Sequence, residues 1–253
     1  MDDIARDFSD HKPLLSVIIP ARNEARHLPS TIEGIVKALQ AGSVRFELVV
    51  VDDHSQDDTG KAVKEMMEAY GVIRLVSNDY PPGYGSAVRK GLAVYKGDAA
   101  VIVMADASDD PKDIVKYYRK LEEGYECVFG TRFCRQAKVR RYPLHKLLLN
   151  RLGNLLIASL FMISYKDITN AFKCYRRDVI DGIQPLVSSG FNLTVEMPLK
   201  AIIKGYRWTV LPTHWRGRKQ GLSKWKIKEL GSGYLGLILS LWRQKIRASR
   251  DHF

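Results

Sequence analysis

Short uninterrupted apolar runs alternate with amphipathic stretches through the first half of this sequence. The apolar runs predict buried strands at residues 14–20, 46–53, 72–77, 99–106 and 127–133. The stretches between them have helical spacing and helix-starting or helix-ending residues, over residues 27–41, 57–71, 85–97 and 110–124. Strands that are apolar on both faces and alternate with helices predict an α/β fold, with a mostly parallel sheet flanked by helices.

The second half is organised differently. Residues 143–163 and 192–205 have the spacing of helices, and residues 206–215 predict a strand whose Pro212 is typical of a sheet edge. In the first of these helices, polar residues recur on one side and leucines cover the rest. This helix therefore either lines an apolar groove or belongs to the core.

Three of the predicted strands end in polar residues, namely PARNE at 20–24, DDHSQDDT at 52–59 and ADASDD at 105–110. In open α/β sheets, ligands bind in the crevice outside the carboxyl ends of the strands. Some of these residues have a simpler explanation, because Asp110, and Asp58 with Thr59, precede predicted helices and are suited to cap them.

A nucleotide is the ligand that fits these strand ends. Asp52, Asp53 and Glu24 are candidates to hold its base and ribose. A divalent cation bridging the diphosphate to Asp106 would complete the site, because carboxylates and phosphates together are the usual ligands of Mg²⁺. The GYGSA segment at 83–87 adds little, since it lacks the third glycine of a dinucleotide fingerprint and the GK[ST] of a P-loop.

The basic charge of the chain is concentrated in two regions. The formal net charge is +12; residues 131–151 hold seven Lys and Arg and no acid, and residues 201–253 hold twelve against Glu229 and Asp251. Nucleic acid, an anionic membrane surface or a phosphate-bearing substrate would each fit such a charge. Nucleic acid is not the expected partner, because the basic regions adjoin leucine-rich stretches and carry no recognition-helix, RRM or zinc signature.

Membrane spans and disulfides are not expected. The three cysteines form no CxxC pair, which favours a reducing compartment. The N-terminus is acidic without an apolar stretch, and no window has the roughly 20 apolar residues of a spanning helix. The segment LGSGYLGLILSLW, residues 230–242, is too short to cross a bilayer and long enough to lie in its interface.

Seven motifs occur in the order seen in the family 2 glycosyltransferases. They are SVIIPARNE, VVVDDHSQDDT, VIVMADASDDP, GTRF, DITNAFKCYRRDVI, GFNLTVEMPLKAIIKGYR and RGRKQGLSKWKI. Within this family the chain resembles the polyprenyl-phosphate (dolichyl-phosphate) mannose and glucose synthases, from about Leu15 to Ile227. The resemblance implies a GT-A fold, a nucleotide-sugar donor, Mg²⁺ or Mn²⁺ as cofactor and a lipid-phosphate acceptor.

The resemblance also implies residue roles. The nucleotide-binding residues would be Pro20, Arg22, Glu24, Asp52, Asp53, Ala105, Asp106, Arg218 and Ser223. The metal ligands would be Asp106, Ser108 and Asp109. Arg132 would meet a phosphate. Independently of the resemblance, the acid-free basic stretch offers Arg140, Arg141 and Lys146, with Asn150, as further candidates to hold the acceptor phosphate. Asp106, Arg132, Arg218 and Lys224 would carry catalysis, the last two in a segment that closes over the diphosphate.

One departure from the family pattern concerns the metal. Met104 stands where the family's DxD motif has its first acid, and Asp109 and Asp110 stand where a His-Pro pair is common. The motif is therefore shifted, with Asp106, Ser108 and Asp109 presenting oxygens on one side of a turn. Metal affinity, metal identity and the donor sugar are the properties that this departure affects.

The expected reaction is the inverting transfer of a sugar to a polyprenyl phosphate. A metal and an Arg/Lys clamp stabilise the leaving diphosphate, and an anionic phosphate attacks without a general base. GDP-mannose, UDP-glucose and UDP-N-acetylglucosamine all fit the acidic strand ends as donors. The alternative is a glycosyltransferase acting on a glycan hydroxyl, which needs a carboxylate base such as Asp109 or Glu196.

The sequence divides into a glycosyltransferase domain, residues 1–228, and a basic amphipathic tail, residues 229–253. The tail mixes Trp, Tyr and Leu with Lys and Arg, which suits a helix in the interface of an anionic membrane. It also suits packing on a partner membrane subunit. The expected location is the cytoplasmic face of a membrane, as a peripheral protein.

Overall fold

The computed structural model describes residues 12–217 and 232–250 of the chain. The first half contains β1 (Leu14–Ala21), α1 (Leu28–Ala41), β2 (Arg45–Asp52), α2 (Thr59–Ala69), β3 (Ile73–Ser77), α3 (Tyr84–Val94), β4 (Ala99–Ile102), α4 (Pro111–Glu122) and β5 (Cys127–Thr131). Every strand and helix predicted for this half is present. The predicted alternation is confirmed because strands covered on both faces require continuous apolar runs.

The second half contains shorter strands and longer helices. Its elements are β6 (Val139–Arg140), α5 (Leu144–Leu160), β7 (Lys173–Arg176), α6 (Arg177–Gly182), α7 (Leu193–Ile203), β8 (Trp208–Pro212), β9 (Trp215–Arg216) and α8 (Ser232–Arg250). The helices α5 and α7 and the strand β8 correspond to the predicted segments. Strands β6, β7 and β9 and helix α6 were not predicted.

Seven strands form the central sheet in the order β3-β2-β1-β4-β7-β5-β8. All neighbours are parallel except β7, which runs antiparallel to both β4 and β5. The prediction of a mostly parallel sheet is confirmed. Strand β8 lies at the end of the sheet, so the prediction from Pro212 of an edge strand is also confirmed.

Two apolar layers cover the sheet. Along β1, Leu15, Val17 and Ile19 point to the layer that contains α1 and α4, and Ile18 points to the opposite layer. The second layer is built from α3, α6 and α7, and α8 joins it through Leu241. The carboxyl ends of the parallel strands therefore open between two packed layers, where the site described below lies.

Strand β4 is shorter than the predicted run of residues 99–106. It ends at Ile102, because the following residues turn back on themselves. The amide of Met104 donates to Asp109 Oδ2 at 3.3 Å, and the amide of Ser108 donates to Asp106 Oδ1 at 3.1 Å. These bonds to side chains replace the ladder of a strand and form a compact loop.

The helix α5 is mostly not part of the core, so the alternative that placed it there is wrong. Only Asn154, Ile157 and Ala158 are buried. Leu144 and Leu148 are exposed by 80% and 72%, and further leucines along the helix are also exposed. Within residues 12–217 and 232–250, none of the helices combines the length and apolarity needed to span a bilayer.

Candidate active site at the carboxyl ends of the strands

The loops that follow β1 and β2 are tied together by side chains. The amide of Asn23 donates to Ser55 Oγ at 3.0 Å, and Asn23 Oδ1 accepts from the amide of Gln56 at 2.7 Å. The amide of Glu24 donates to Thr59 Oγ1 at 2.9 Å. Thr59 therefore joins the two loops, while Asp58 holds the N-cap position of α2 without a side-chain capping bond. Asp110, in contrast, caps α4 as predicted, accepting from the amide of Lys112 at 3.0 Å.

Strained backbone marks all three strand ends. Asn23, His54 and Ala107 have φ values of +53°, +58° and +55°, and each follows β1, β2 or β4. A left-handed conformation is uncommon outside glycine, although Asn and His adopt it more readily than other residues, and such residues cluster at active sites and ligand clamps. This clustering supports a binding site where the sequence predicted one.

Asp53 organises the loop after β3. Its side chain is buried, with Oδ1 accepting from Asn78 Nδ2 at 2.7 Å and Oδ2 accepting from the amide of Gly83 at 3.0 Å. Asp52 is half-buried, and its Oδ1 accepts from the amide of Ser55 at 3.0 Å. Of the two acids predicted to contact a nucleotide, Asp52 is thus the more accessible, and Asp53 fixes the neighbouring loop.

The glycines of the GYGSA segment allow a close contact between two backbones. A Cβ at Gly83 would lie 2.4 Å from the carbonyl oxygen of Ser189, and one at Gly85 would lie 2.5 Å from that of Ser188. Between them, Tyr84 stacks on Phe191 with ring centroids 4.4 Å apart. The segment is therefore used for packing against residues 188–191.

Glu196, one of the two candidate bases for the alternative reaction, has a structural role. It is fully buried and accepts from the amides of Val187 and Ser188 at 2.9 and 2.8 Å and from Lys200 Nζ at 2.7 Å. Burial alone would raise the pKa of Glu196, but the bonds from Lys200 and Ser188 outweigh burial and lower it. This carboxylate supports the loop that packs on the GYGSA segment.

The loop after β4 brings two carboxylates together. Ser108 and Asp109 are buried, and Asp106 is half-buried. Burial and the neighbouring charge of Asp106 raise the pKa of Asp109 to about 7, while the amide of Met104 and Arg132 oppose this shift. Because Asp109 bonds to the amide of Met104, its carboxylate lies against the position where the family has its first acid.

This loop fits a divalent cation that takes part of its ligands from a substrate. In the part of the chain that the structure describes, no group of three His, Cys, Asp or Glu side chains is arranged to hold a metal. Asp106, Asp109 and the hydroxyl of Ser108 offer two carboxylates and one neutral oxygen. Mg²⁺ and Mn²⁺ are commonly held by one or two carboxylates together with phosphate oxygens and water. Burial first, and then repulsion from Asp106, raise the pKa of Asp109, and a bound cation would offset both effects.

Arg132 is fixed by a carboxylate that sequence reasoning missed. Asp167 Oδ1 accepts from Arg132 Nη2 at 2.6 Å, and Oδ2 accepts from Nε at 3.0 Å and from the backbone amide at 2.7 Å. Burial alone would lower the pKa of Arg132, but Asp167 outweighs burial and raises it. The one feature of the sequence that could have identified this partner is Asp167 itself, the first residue of the DITNAF motif, 35 residues after Arg132.

Strand β9 joins the loop after β4 to the basic stretch. The amide of Arg216 donates to the carbonyl oxygen of Ser108 at 2.9 Å, and the amide of Gly217 donates to that of Arg140 at 2.9 Å. A Cβ at Gly217 would lie 2.4 Å from the carbonyl oxygen of Arg141. The two sides of the site are therefore linked by the strand that leads into residue 218.

The predicted acceptor residues differ in their surroundings. Arg141 is exposed with a φ of +59°, and Lys146 is half-buried on the first turn of α5. Asn150 donates to Thr169 Oγ1 at 2.9 Å, so it also fastens α5 to the loop that carries Asp167. The remaining predicted residues of the clamp, Arg218, Ser223 and Lys224, lie outside the described residues.

The model of the family described as glycosyl transferase family 2 matches residues 16–183. The chain belongs to this family. It is 29% identical to a dolichol-phosphate mannosyltransferase of Pyrococcus furiosus over 219 residues, which are 85% of this chain and 60% of that protein. It is 27% identical to a polyprenol monophosphomannose synthase of Mycolicibacterium smegmatis, over 82% of this chain and 79% of that protein. The predicted resemblance is confirmed.

Solved structures agree on the fold. Glucosyl-3-phosphoglycerate synthase from Mycobacterium tuberculosis in complex with UDP matches with a TM-score of 0.68 and 21% identity, over 91% of this chain and 80% of that chain. The same synthase has been solved with Mn²⁺, UDP and glucosyl-3-phosphoglycerate, with the same TM-score and coverage. This likeness confirms the predicted GT-A fold, and at this identity it carries no conclusion about substrate.

Proposed function

We propose that this protein transfers a hexose from a nucleotide sugar to the phosphate of a polyprenyl or dolichyl phosphate, with inversion at the sugar. The observation that carries the proposal is the arrangement around α5. The guanidinium of Arg132 is nearly buried, lies near Asp109 and pairs with Asp167. The loop that carries Asp167 is fastened by Asn150 to α5, whose leucine face is exposed. An anionic headgroup and an apolar tail need these two surfaces next to each other.

The donor is proposed to bind at the ends of β1, β2 and β4. Asp52 and Glu24 lie there with Pro20, Arg22 and Ala105, and Asp53 shapes the neighbouring loop through Gly83. Mannose is the favoured sugar because both relatives are named for mannose transfer. GDP-mannose is therefore the first donor to test, before UDP-glucose and UDP-N-acetylglucosamine.

Asp106, Ser108 and Asp109 are the proposed ligands of Mg²⁺ or Mn²⁺. When bound, the cation supplies positive charge that stabilises the leaving nucleoside diphosphate. Asp109 takes over from the family's first acid, since its carboxylate lies against the backbone of Met104. Arg218, Ser223 and Lys224 are proposed to close over the diphosphate from the segment that follows β9.

Arg132 is proposed to hold the acceptor phosphate, together with Arg141, Lys146 and Asn150. A phosphate monoester is anionic near neutral pH, so it attacks without a proton acceptor. The basic stretch then has the task of orienting the nucleophile and offsetting its charge. One observation favours the alternative acceptor, a glycan hydroxyl: the pKa of Asp109, at about 7, suits a general base.

The lipid part of the acceptor requires contact with a membrane, and α5 with α8 offers an apolar surface for it. The apolar face comprises Leu144, Leu148, Leu149, Leu152, Leu155, Leu156, Leu160 and Met162, with Leu235, Leu239 and Trp242 of α8. Lys245 of α8 donates to the carbonyl of Phe161, so α8 meets the C-terminal end of α5. Both helices have basic and no acidic residues, which favours an anionic bilayer over a partner membrane subunit. The proposed location is peripheral, on the cytoplasmic face.

A transfer assay tests the proposed reaction. The purified protein, a short polyprenyl phosphate and Mn²⁺ or Mg²⁺ are incubated with each of the three nucleotide sugars, and the lipid is analysed by mass spectrometry. We expect glycosylated lipid phosphate with GDP-mannose, and none after EDTA is added. Transfer to a glycan hydroxyl, with no lipid product from any donor, would replace the proposal by its alternative.

A charge placed on the leucine face is expected to prevent membrane binding. Leu148 and Leu152 lie one turn apart on the exposed side of α5, and burying each leucine contributes about 1.5–3 kcal/mol. Leu148→Glu with Leu152→Glu should therefore lower partitioning onto phosphatidylglycerol vesicles by about 100-fold. Sedimentation with vesicles measures this. Met67→Glu, at an exposed apolar residue of α2, is the matched control, and equal partitioning of both variants would contradict the proposal.

A further inference from the structure

Three charged side chains lie buried together behind the proposed acceptor site. Arg132 is exposed by 9% and Asp167 by 0%, and Lys173 on β7 is exposed by 1%. Asp167 and Lys173 have no part in the reaction as described above. Buried charges are costly unless each is paired or hydrogen-bonded, so this cluster calls for a specific explanation.

Asp167 controls the orientation of the Arg132 side chain. Its two oxygens accept from Nε and Nη2 of the guanidinium, and Oδ2 also accepts from the backbone amide of Arg132. One carboxylate thus holds both the backbone amide and the guanidinium of Arg132. A guanidinium has five N–H donors, so three remain on Nη1 and Nη2 beyond the two that Asp167 takes. Tyr142 also hydrogen-bonds to this guanidinium, and the other donors remain available to a phosphate. Such side-on pairing directs the remaining donors away from the carboxylate.

Lys173 holds the loop that carries Asp167. Its Nζ donates to the carbonyl oxygens of Ile168 at 2.9 Å, of Thr194 at 3.1 Å and of Asn170. An ammonium group has three hydrogens, and three carbonyl acceptors match them. The loop is fastened on its other side by Thr169, whose hydroxyl accepts from Asn154 Nδ2 at 2.9 Å.

The charge of the cluster favours an anionic ligand. Two cations and one carboxylate sum to one positive charge when Lys173 is protonated. Burial lowers the pKa of Lys173 to about 7, Asp167 raises it and Arg132 lowers it, so an added negative charge at Arg132 would favour the ammonium form. The guanidinium also acts on the pKa of Asp109, which indicates that it lies near the metal-binding loop.

We propose that Asp167 is a positioning residue, which orients the guanidinium of Arg132 so that N–H groups not taken by Asp167 point to the acceptor phosphate. Lys173 anchors the loop from which Asp167 acts. This inference rests on the proposed function and deepens it. The sequence alone did not indicate it, because the three residues meet only through the antiparallel strand β7 and the preceding loop. Asp167 touches no substrate in this scheme and acts through Arg132.

Asp167→Asn is the first variant to test, because it keeps the shape and removes the charge and one acceptor. We expect the KM for a short-chain polyprenyl phosphate to rise by about 10- to 100-fold, with the KM for the nucleotide sugar changed less than about twofold. The dissociation constant for inorganic phosphate, measured by NMR titration, should rise by a similar factor. The protected ¹⁵Nε–H resonance of Arg132, assigned by its loss in Arg132→Lys, should lose its protection.

Two further variants separate positioning from simple support of the fold. Asp167→Glu keeps the charge and displaces it by one methylene, so it should fold and still weaken phosphate binding. Glu196→Gln removes another fully buried carboxylate and is the matched control, for which we expect unchanged phosphate affinity. Equal loss of phosphate affinity in the control, or an unchanged Arg132 resonance and phosphate affinity in both Asp167 variants, would overturn the inference.

The readouts also distinguish this inference from the proposed reaction. If the unmodified protein transfers no sugar to any lipid phosphate, the proposed function fails. The Arg132 resonance and the phosphate titration still test positioning, because neither depends on turnover. An active enzyme whose acceptor KM is unaffected in Asp167→Asn would refute positioning and leave the reaction standing.

Discussion

Asp106→Asn is expected to lower kcat for sugar transfer by roughly 10²–10³-fold, because it removes a charged oxygen from the proposed metal site. The substitution removes the charge and keeps the local hydrogen bond, since an asparagine Oδ1 can still accept from the amide of Ser108, as Asp106 Oδ1 does at 3.1 Å. The loop is therefore expected to keep its shape. The rate of glycosyl-lipid formation at saturating donor and acceptor, over a range of Mn²⁺ concentrations, measures the effect.

The neighbouring Asp110 provides the control for this experiment. It caps α4 through the amide of Lys112, and Asp110→Asn retains a good capping residue, so transfer should stay within about twofold of the unmodified rate. If Asp106→Asn keeps full activity at all Mn²⁺ concentrations, Asp106 is not a metal ligand. A loss that excess Mn²⁺ restores would instead indicate weakened metal binding with the chemistry intact.

The sequence predicted the fold wherever burial is continuous. Strands β1, β2, β4 and β5 are buried over most of their length, so they appear as apolar runs, and the helices between them have clear caps or spacing. The edge strand β3 is only partly buried, but its Ile, Leu and Val still made it recognisable. Strand β7 was missed because it has four residues and begins and ends with the charged Lys173 and Arg176. Three carbonyls accept from the buried ammonium of Lys173, and the charge of Asp167 also favours it. These partners come from parts of the chain that a local pattern does not connect.

The sequence indicated which strand ends carry the candidate site, but not which side chains contact one another there. Acids at strand ends can be read directly from the sequence. The hydrogen bond from the amide of Gly83 to Asp53 depends instead on how two loops meet in the fold. Asp167 reaches Arg132 across the fold, so no spacing rule identifies it. The leucines of α5 show why hydropathy alone is ambiguous, since an apolar helix has the same pattern whether protein or lipid covers it.

Moving the acid from position 109 to position 104 tests whether the metal motif is shifted. Asp109→Asn should weaken Mn²⁺ binding by about 100-fold if Asp109 is a ligand. Because the carboxylate of Asp109 contacts the backbone amide of Met104, an aspartate at position 104 could reach the proposed metal site. We therefore expect Met104→Asp combined with Asp109→Asn to recover much of the affinity. Electron paramagnetic resonance of free Mn²⁺, in the presence of GDP, measures binding without turnover.

The pH dependence of Mn²⁺ binding gives the same prediction a second readout. Because the pKa of Asp109 is raised to about 7, its carboxyl group carries a proton below that pH, and the cation has to displace it. The affinity for Mn²⁺ should then fall by up to about tenfold for each pH unit below 7, and level off above 7. In Asp109→Asn this dependence should disappear, because the titrating carboxyl group is gone. An unchanged slope in the variant would show that the displaced proton belongs to another group and that Asp109 is not a ligand.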